Sequence, residues 1–238
     1  MKTMTKTLMV LLIFLLASGF RNESGNSAIT NDPSANDENS KFTLVRSNDN
    51  ISIYTRWIRV NETTSTRQVK AEFVVDCPAK SVVTVLCDEK KCMEWMQSTK
   101  AYYRVRTINT NQWYAYVQFS IPWPLDNQDC VLKYEVCEYP ESLRTEIILQ
   151  GEPDFVKPVK GVERISHMEG RWIITQVEGG KTHVEYYMFS NQKPKFPGWL
   201  TDPLVQKNLI KTMDALRNLA KKSIMQSAQR KEQITNNK

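Results

Sequence analysis

The side chains that most often carry out catalysis are sparse in this chain of 238 residues. Its two histidines, His167 and His183, each lie in a strand-like run, and neither belongs to a recognisable Cys/His or Ser/His/Asp arrangement for nucleophilic or acid–base chemistry. The adjacent acids Asp88 and Glu89 fit a solvated helix end better than a general acid paired with a general base. The sequence contains no GxGxxG or P-loop motif for binding phosphates. We therefore predict a protein with no catalytic residues.

The five cysteines could form disulfides, but their spacing does not predict a metal site. They are Cys77, Cys87, Cys92, Cys130 and Cys137. No CxxC pair occurs and the histidines stand alone, so we expect neither zinc nor a cofactor. In an oxidising compartment the sequence allows one or two disulfides and leaves at least one thiol unpaired in a monomer. Cys130 and Cys137 point to opposite faces of one predicted strand, which excludes that pair.

A tryptophan between two prolines joins two strand-like runs. Pro122 and Pro124 fix their φ angles and lack an N–H, so this loop cannot extend the strand before it. The side chain of Trp123 therefore either packs down on a sheet edge or lies exposed as a lid. The isolated motif favours packing, whereas the rest of the chain favours the lid.

The amino-terminal residues have the pattern of a secretory signal peptide over 1–19. Lys2 and Lys6 precede an apolar run from Leu8 to Leu16, and small residues follow up to Gly19. An uncleaved membrane anchor is the alternative, although the run is short for a bilayer span. Residues 20–40 are polar and predict a flexible linker. We expect a secreted protein, in the periplasm if the source is bacterial and otherwise extracellular or lumenal.

The net charge and the length of the chain limit the kinds of partner and the number of domains that we expect. The formal charge of +6 falls to +4 when Lys2 and Lys6 leave with residues 1–19. This mild excess favours a transient contact with an anionic membrane surface, but no basic block with interleaved aromatics predicts a nucleic acid partner. With 41% hydrophobic residues, the chain predicts one domain at 41–228 followed by a polar tail at 229–238.

Hydrophobic periodicity predicts an antiparallel meander interrupted by helices. The strand-like runs are 51–58, 67–75, 102–108, 113–121, 129–137, 144–150, 162–177 with a bend at Gly170, and 183–189. Helical spacing occurs at 79–89 and 92–96, where Met93, Trp95 and Met96 suggest a soft apolar part of the core. A long amphipathic helix begins with Asp202 as its cap and Pro203 at its first position, and extends to about residue 229.

The final helix and one face of the sheet must bury each other. Trp113, Val117 and Phe119 alternate with polar residues on one strand, and Leu132 and Tyr134 do so on the next. A curled sheet packed on an amphipathic helix either closes into a dry core or leaves a pocket, and periodicity alone does not decide between them. A filled core is the more common outcome.

Several local motifs lie along the predicted elements. They are Asp88 with Trp95, Pro122-Trp123-Pro124 with Asp129, Arg164-Ile165, Gly170-Arg171-Trp172, and Phe196-Pro197-Gly198-Trp199-Leu200. These motifs and the order of the elements resemble the START (StAR-related lipid transfer) family of the helix-grip superfamily, over about Phe42 to Lys222. Two features depart from the family pattern. The chain has Gln128-Asp129 where the family usually has Arg-Asp, so the ion pair of that arginine is absent or relocated. The segment before the first strand lacks an amphipathic helix, as in the shorter bacterial members.

The resemblance implies an α+β helix-grip fold in which a curved antiparallel sheet wraps around the long carboxy-terminal helix and leaves an internal hydrophobic cavity. It also implies non-catalytic binding, and possible transfer, of a lipid or other hydrophobic ligand. The implied gate consists of the last helix with Pro122, Trp123, Pro124 and Trp199. The implied ligand-binding residues are Trp113, Val117, Phe119, Leu132, Tyr134, Trp172, Val184, Tyr186, Leu209, Met213 and Leu216.

Two alternatives use the same fold differently, because a fold does not fix a function. A cyclase-like or hydrolase-like enzyme would need an inward-facing polar group with a shifted pKa. The candidates for that group are Tyr114, Tyr116, Tyr134, His183 and Glu185. A scaffold or interaction module would instead have a filled core.

Overall fold

The computed structural model describes residues 41–61, 64–121, 126–190 and 198–236, with the backbone alone at 61, 64, 198–200 and 225–236. The predicted signal peptide, the predicted linker and the Pro122–Pro124 loop lie outside the described residues. The predicted domain from residue 41 onwards lies largely within them.

The described chain forms one curved, mainly antiparallel sheet and three α-helices. The strands are β1 (Thr43–Asn48), β2 (Ile51–Asn61), β3 (Thr64–Val75), β4 (Thr99–Asn109), β5 (Gln112–Phe119), β6 (Asn127–Tyr139), β7 (Arg144–Gly151), β8 (Val162–Arg164), β9 (Met168–Gln176) and β10 (Thr182–Ser190). The helices are α1 (Ala79–Cys87), α2 (Glu89–Trp95) and α3 (Gly198–Asn236). The strand order is β1-β2-β3-β10-β9-β7-β6-β5-β4, and β8 pairs in parallel with β6. The α+β helix-grip fold is therefore confirmed.

The prediction of one strand over 162–177 with a bend at Gly170 is wrong. This segment forms two strands, because β8 pairs with β6 whereas β9 pairs with β7 and β10. The pairing of this segment with β6 ends at Ile165, whose N–H donates to the Asp129 carbonyl at 2.8 Å. The strand does not bend at Gly170, which lies inside β9. A Cβ added at Gly170 would come 3.2 Å from the Tyr187 carbonyl oxygen. The strand β1 at the sheet edge was not predicted.

The last helix starts earlier and ends later than its sequence signals predict. It begins at Gly198, so Pro203 lies within the helix rather than at its first position. Asp202 accepts two hydrogen bonds from Arg67 on β3, at 2.6 and 2.5 Å, instead of starting the helix as its cap. This tertiary contact overrides the local signal. The helix continues to Asn236, so the predicted tail at 229–238 is helical through that residue.

The concave face of the sheet packs against α3, and this arrangement forms the core. The predicted helix stripe of Leu209, Met213 and Leu216 is buried, as are Trp113 and Phe119 on β5. The two apolar faces therefore meet as the periodicity predicts. Within the described ranges, no helix has a stretch long and apolar enough to cross a membrane.

Two contacts fix α3 along its length, and we call them the helix clamps. The first is the Arg67–Asp202 ion pair to β3. In the second, Arg217 donates through Nη1 to the Asp49 carbonyl at 2.6 Å and through Nη2 to Asp214 at 2.6 Å. Asp49 lies in the turn between β1 and β2 and has a left-handed φ of 51°. The helix is thus tied to the first strands of the sheet at both of these positions, and Arg46 on β1 also donates through Nε to Gln206 on α3 at 3.3 Å.

Candidate ligand-binding cavity

A cavity lies between the concave face of the sheet, the short helices α1 and α2, and α3. The space free of protein atoms in it, including its opening to solvent, is about 650 Å³. Because that space includes open solvent, it is not a ligand volume, and the part of it that admits the centre of a water-sized sphere is about 50 Å³. The lining residues are Leu86, Cys92, Trp95, Met96, Tyr102, Val117, Phe119, Leu132, Tyr134, Ile147, Leu149, Met168, Trp172, Tyr186, Leu209, Thr212 and Met213.

The structure brings most of the implied ligand-binding residues to this cavity. Those that line it are Val117, Phe119, Leu132, Tyr134, Trp172, Tyr186, Leu209 and Met213. Trp113, Val184 and Leu216 are buried in the core but are not among the lining residues. Of the implied gate, Pro122, Trp123 and Pro124 lie outside the described residues, and Trp199 is described only as backbone in α3.

Several lining residues were missed by the sequence reasoning. The sequence pattern assigns Met93, Trp95 and Met96 to a soft apolar part of the core, but Trp95 and Met96 line the cavity and Met93 is exposed. Ile147 and Leu149 alternate along β7 and could have been found from that alternation. The short helix that carries Trp95 contacts α3, a tertiary relationship that local periodicity does not contain.

Aromatic rings form much of the cavity wall. Trp172 stacks on Tyr186 with ring centroids 4.2 Å apart and meets Trp95 edge-on at 5.8 Å. Tyr134 and Tyr102 meet edge-on at 6.5 Å. Packed rings of this kind have few accessible rotamers and present a broad apolar surface. The wall is therefore suited to contact with a hydrophobic molecule.

The ionisable groups of the lining are neutral near pH 7. Burial raises the pKa of the Cys92 thiol to about 12. Burial also raises the pKa values of Tyr102, Tyr134 and Tyr186 above the ordinary tyrosine value. No Asp, Glu, His, Lys or Arg is among the described lining residues. The cavity therefore offers hydrogen bonds but no fixed charge.

Only one of the five candidate polar groups for an enzyme site lines the cavity, and that group is Tyr134. Tyr114 stacks on Phe155 with ring centroids 3.9 Å apart. His183 and Glu185 alternate with the buried Val184 on β10 and so lie on the opposite face of the sheet. The remaining candidates are thus separated from the cavity by the sheet.

Tyr116 also belongs to the outer face, next to a buried ion pair. A hydrogen bond to Asp129 raises the pKa of Tyr116 further after the larger effect of burial. Asp129 accepts from Arg164 Nε at 2.6 Å, and Arg164 Nη1 also donates to the carbonyls of Pro153 and Val156. Asp129 therefore obtains its cation from Arg164, while Gln128 donates to Glu163 at 3.2 Å. Position 128 therefore contributes a hydrogen bond from a neutral amide to Glu163 and no ion pair, and the Arg164–Asp129 ion pair is a separate contact.

The described residues contain no group of three or more His, Cys, Asp or Glu side chains that could hold a metal ion. All five cysteines lie within the described ranges and carry free thiols. None of the disulfides that the sequence allows is present.

Comparison with known proteins places this architecture in a family. The START domain model matches residues 38–223. The STAR-related lipid transfer protein of Xanthomonas axonopodis (fragment 25–204) has the same fold with a TM-score of 0.66 and 24% identity, covering 76% of this chain and 98% of that chain. Human STARD10 gives a TM-score of 0.65 at 16% identity, over 79% of this chain and 76% of that chain.

One further solved structure and one further protein sequence also match this chain. The Zhui aromatase/cyclase of Streptomyces gives a TM-score of 0.50 at 13% identity, over 66% of this chain and 95% of that chain, which shows a shared fold alone. Uncharacterized protein PA1579 of Pseudomonas aeruginosa is 23% identical over 135 residues, which are 57% of this chain and 66% of that relative, just under two thirds of its length. Because the START domain model matches well over half of the sequence, this chain belongs to the START domain family.

Proposed function

We propose that this protein binds a lipid or another uncharged hydrophobic molecule in the cavity and transfers it between membranes, without catalysing a reaction. The observation that carries the proposal is a cavity wall of aromatic and aliphatic side chains with no charged residue among its described members. Each methylene group moved from water into such a wall contributes on the order of 0.8 kcal/mol, so even part of an acyl chain would bind usefully. Lipid transfer is also the named property of the related Xanthomonas protein.

The chemistry of the wall supports binding rather than catalysis. A general acid or base works best when its pKa lies near the working pH. The raised pKa values of Cys92, Tyr102, Tyr134 and Tyr186 keep these groups protonated near pH 7, so none is poised to accept a proton. The cyclase-like alternative would have to rely on hydrogen bonds alone.

The route of the ligand and the place of action belong to the same proposal. The signal peptide would deliver the protein to the periplasm or an extracellular or lumenal space, where lipids must cross water. The loop of Pro122, Trp123 and Pro124, together with Trp199 and α3, would form the gate of the cavity. Transient contact with a membrane surface would load and unload the ligand.

Two valine substitutions test the proposal. Val117 lines the cavity, whereas Val74 on β3 is exposed, so Val117→Phe obstructs the cavity and Val74→Phe adds the same ring outside it. Native mass spectrometry of protein purified from its host should show a bound apolar ligand in the wild type and in Val74→Phe. We expect at least about tenfold less in Val117→Phe, because the added ring occupies the ligand space.

The proposal also makes a kinetic claim that the same proteins check. Transfer of a fluorescent neutral lipid between phosphatidylcholine vesicles should proceed with the wild type and Val74→Phe and be slow with Val117→Phe. Absence of bound ligand from the wild type together with absence of transfer would show that the proposed function is wrong. Equal ligand in all three proteins would show that binding occurs elsewhere.

A further inference from the structure

Two residues that line the cavity each carry a buried polar side-chain atom with no hydrogen-bond partner within the described part of the chain. These atoms are Nε1 of Trp95 and Oγ1 of Thr212. The two residues are only 6% and 5% exposed, and both line the cavity. The other unpartnered buried side-chain atoms belong to residues that do not line it. Because buried polar groups in folded proteins are normally hydrogen bonded, this pair calls for a partner.

Both unpartnered groups belong to the helical side of the cavity. Trp95 is the last residue of α2, and Thr212 lies on α3 next to Met213 and one turn after Leu209, which also line the cavity. The helices α2 and α3 contact each other. On the sheet side, by contrast, the Tyr186 hydroxyl already donates to Met188 Sδ at 3.0 Å.

We infer, on the basis of the proposed function, that the ligand carries an uncharged hydroxyl or carbonyl oxygen that binds at the helical side of the cavity. The indole N–H of Trp95 donates a hydrogen bond to this oxygen. The Thr212 hydroxyl accepts a hydrogen bond from a ligand hydroxyl or donates one to a ligand carbonyl. The rest of the ligand is apolar and lies along the aromatic wall. This assigns a ligand class, a neutral lipid with a small polar head such as a long-chain alcohol.

The surroundings of this pair favour a neutral head over a charged one. A buried carboxylate or ammonium group needs an opposite charge beside it, and the described lining has none. Arg104 on the neighbouring β4 does not supply it. Its guanidinium group lies over the Trp113 ring at 4.2 Å and donates to the Cys87 carbonyl at 2.6 Å. An anionic lipid would therefore bind less well than its alcohol.

The test compares probes that differ only at the head. Full-length protein is incubated with phosphatidylcholine vesicles that contain equal amounts of 1-hexadecanol, hexadecane and hexadecanoate at pH 8, and the protein-bound molecules are quantified by mass spectrometry. Thr212→Val removes the hydroxyl at nearly constant shape, and Thr212→Ser keeps it as the matched control. Trp95→Phe removes the indole N–H. Each variant is compared with the wild type for the same probe. The preference between probes is the protein-bound amount of each probe divided by the amount that remains in the vesicles, which cancels differences in solubility.

We expect Thr212→Val and Trp95→Phe each to lower hexadecanol binding about three- to tenfold, in line with the loss of one neutral hydrogen bond. Hexadecane binding should change less than about twofold, Thr212→Ser should bind like the wild type, and hexadecanoate should be bound at least about tenfold less than hexadecanol. Equal losses for alcohol and alkane, or no loss in either variant, would overturn the assignment of the polar head and leave the proposed function intact. Binding of neither alcohol nor alkane by the wild type would overturn the proposed function and this inference with it.

Discussion

Arg164 and Asp129 form a two-point ion pair at the end of β8, with Nε 2.6 Å from Oδ1 and Nη2 3.2 Å from Oδ2. The Asp129 side chain is fully buried, and that of Arg164 is 11% exposed. The same guanidinium group donates to the Pro153 and Val156 carbonyls in the segment that follows β7. One arginine thus neutralises a buried carboxylate and fixes a connecting segment.

Replacing Arg164 should strongly destabilise the fold. In Arg164→Met the Asp129 carboxylate stays buried without a cation, and the loss should be about 3–5 kcal/mol in the free energy of unfolding. Urea unfolding measures this value. Lys181→Met is the control, because Lys181 pairs with Asp76 at 3.3 Å with both side chains more than half exposed, and it should lose about 1 kcal/mol or less. Similar losses in the two variants would contradict the assigned role of the buried pair.

Alkaline pH should destabilise the protein through its buried thiols and phenols. The pKa of Cys92 is raised to about 12 in the folded state, against about 8.5 for a cysteine in an unfolded chain. The unfolded state therefore releases its proton first, so stability is complete below about pH 8.5 and falls as the pH rises toward 12. Within that window this thiol alone should lower the free energy of unfolding by about 1 kcal/mol per pH unit.

Urea unfolding at pH 7, 9 and 10.5 in the presence of a reductant measures this loss. The raised pKa values of Tyr134 and Tyr186 act in the same direction at higher pH. Cys92→Ala should show a shallower decline than the wild type because one titrating group is absent. A stability that stays constant up to pH 10.5 would contradict the burial of these groups.

The Trp123 lid remains a prediction from the sequence. Trp123→Ala should change the rate of ligand loading or transfer more than it changes the free energy of unfolding, because a lid contacts the ligand path rather than the core. Vesicle transfer kinetics and urea unfolding, measured on the same samples, separate the two effects. Trp57→Ala serves as a control, since Trp57 on β2 is partly exposed in the sheet. Unfolding of Trp123→Ala with unchanged ligand preference in the folded fraction would identify Trp123 as a core residue.

Much of the fold could be predicted because its strands bury one face. The alternation of Trp113, Val117 and Phe119 on β5, and of Leu132 and Tyr134 on β6, correctly assigns the inner face in each strand. Helical spacing also predicts the buried stripe of α3. These signals are local, and a side-chain period of two or of 3.6 residues is visible in any sequence window. The motifs shared with the START family then supplied the order in which the elements assemble.

Other features depend on contacts between distant residues and could not be predicted this way. Nothing local marks the change of partner between β8 and β9, because both segments have strand-like composition. Asp202 has the sequence context of a helix cap, but its carboxylate accepts two hydrogen bonds from Arg67, which precedes it by more than a hundred residues. Trp95 lines the cavity because α2 packs against α3. The residues next to Trp95 in the sequence are apolar, and that local pattern by itself predicts a core position.

The helix clamps at Arg67–Asp202 and Arg217–Asp49 lie fifteen residues apart along α3, which corresponds to about 22 Å of helix. Leu209, Thr212 and Met213, which form the helical side of the cavity, all fall between them. Outward displacement of this part of α3 would therefore strain the Arg67–Asp202 ion pair at one end and the hydrogen bond from Arg217 to the Asp49 carbonyl at the other. The ion pair weakens as the ionic strength rises. Salt concentration should consequently act as a control on how readily the cavity opens, with no salt-sensitive group inside the cavity itself.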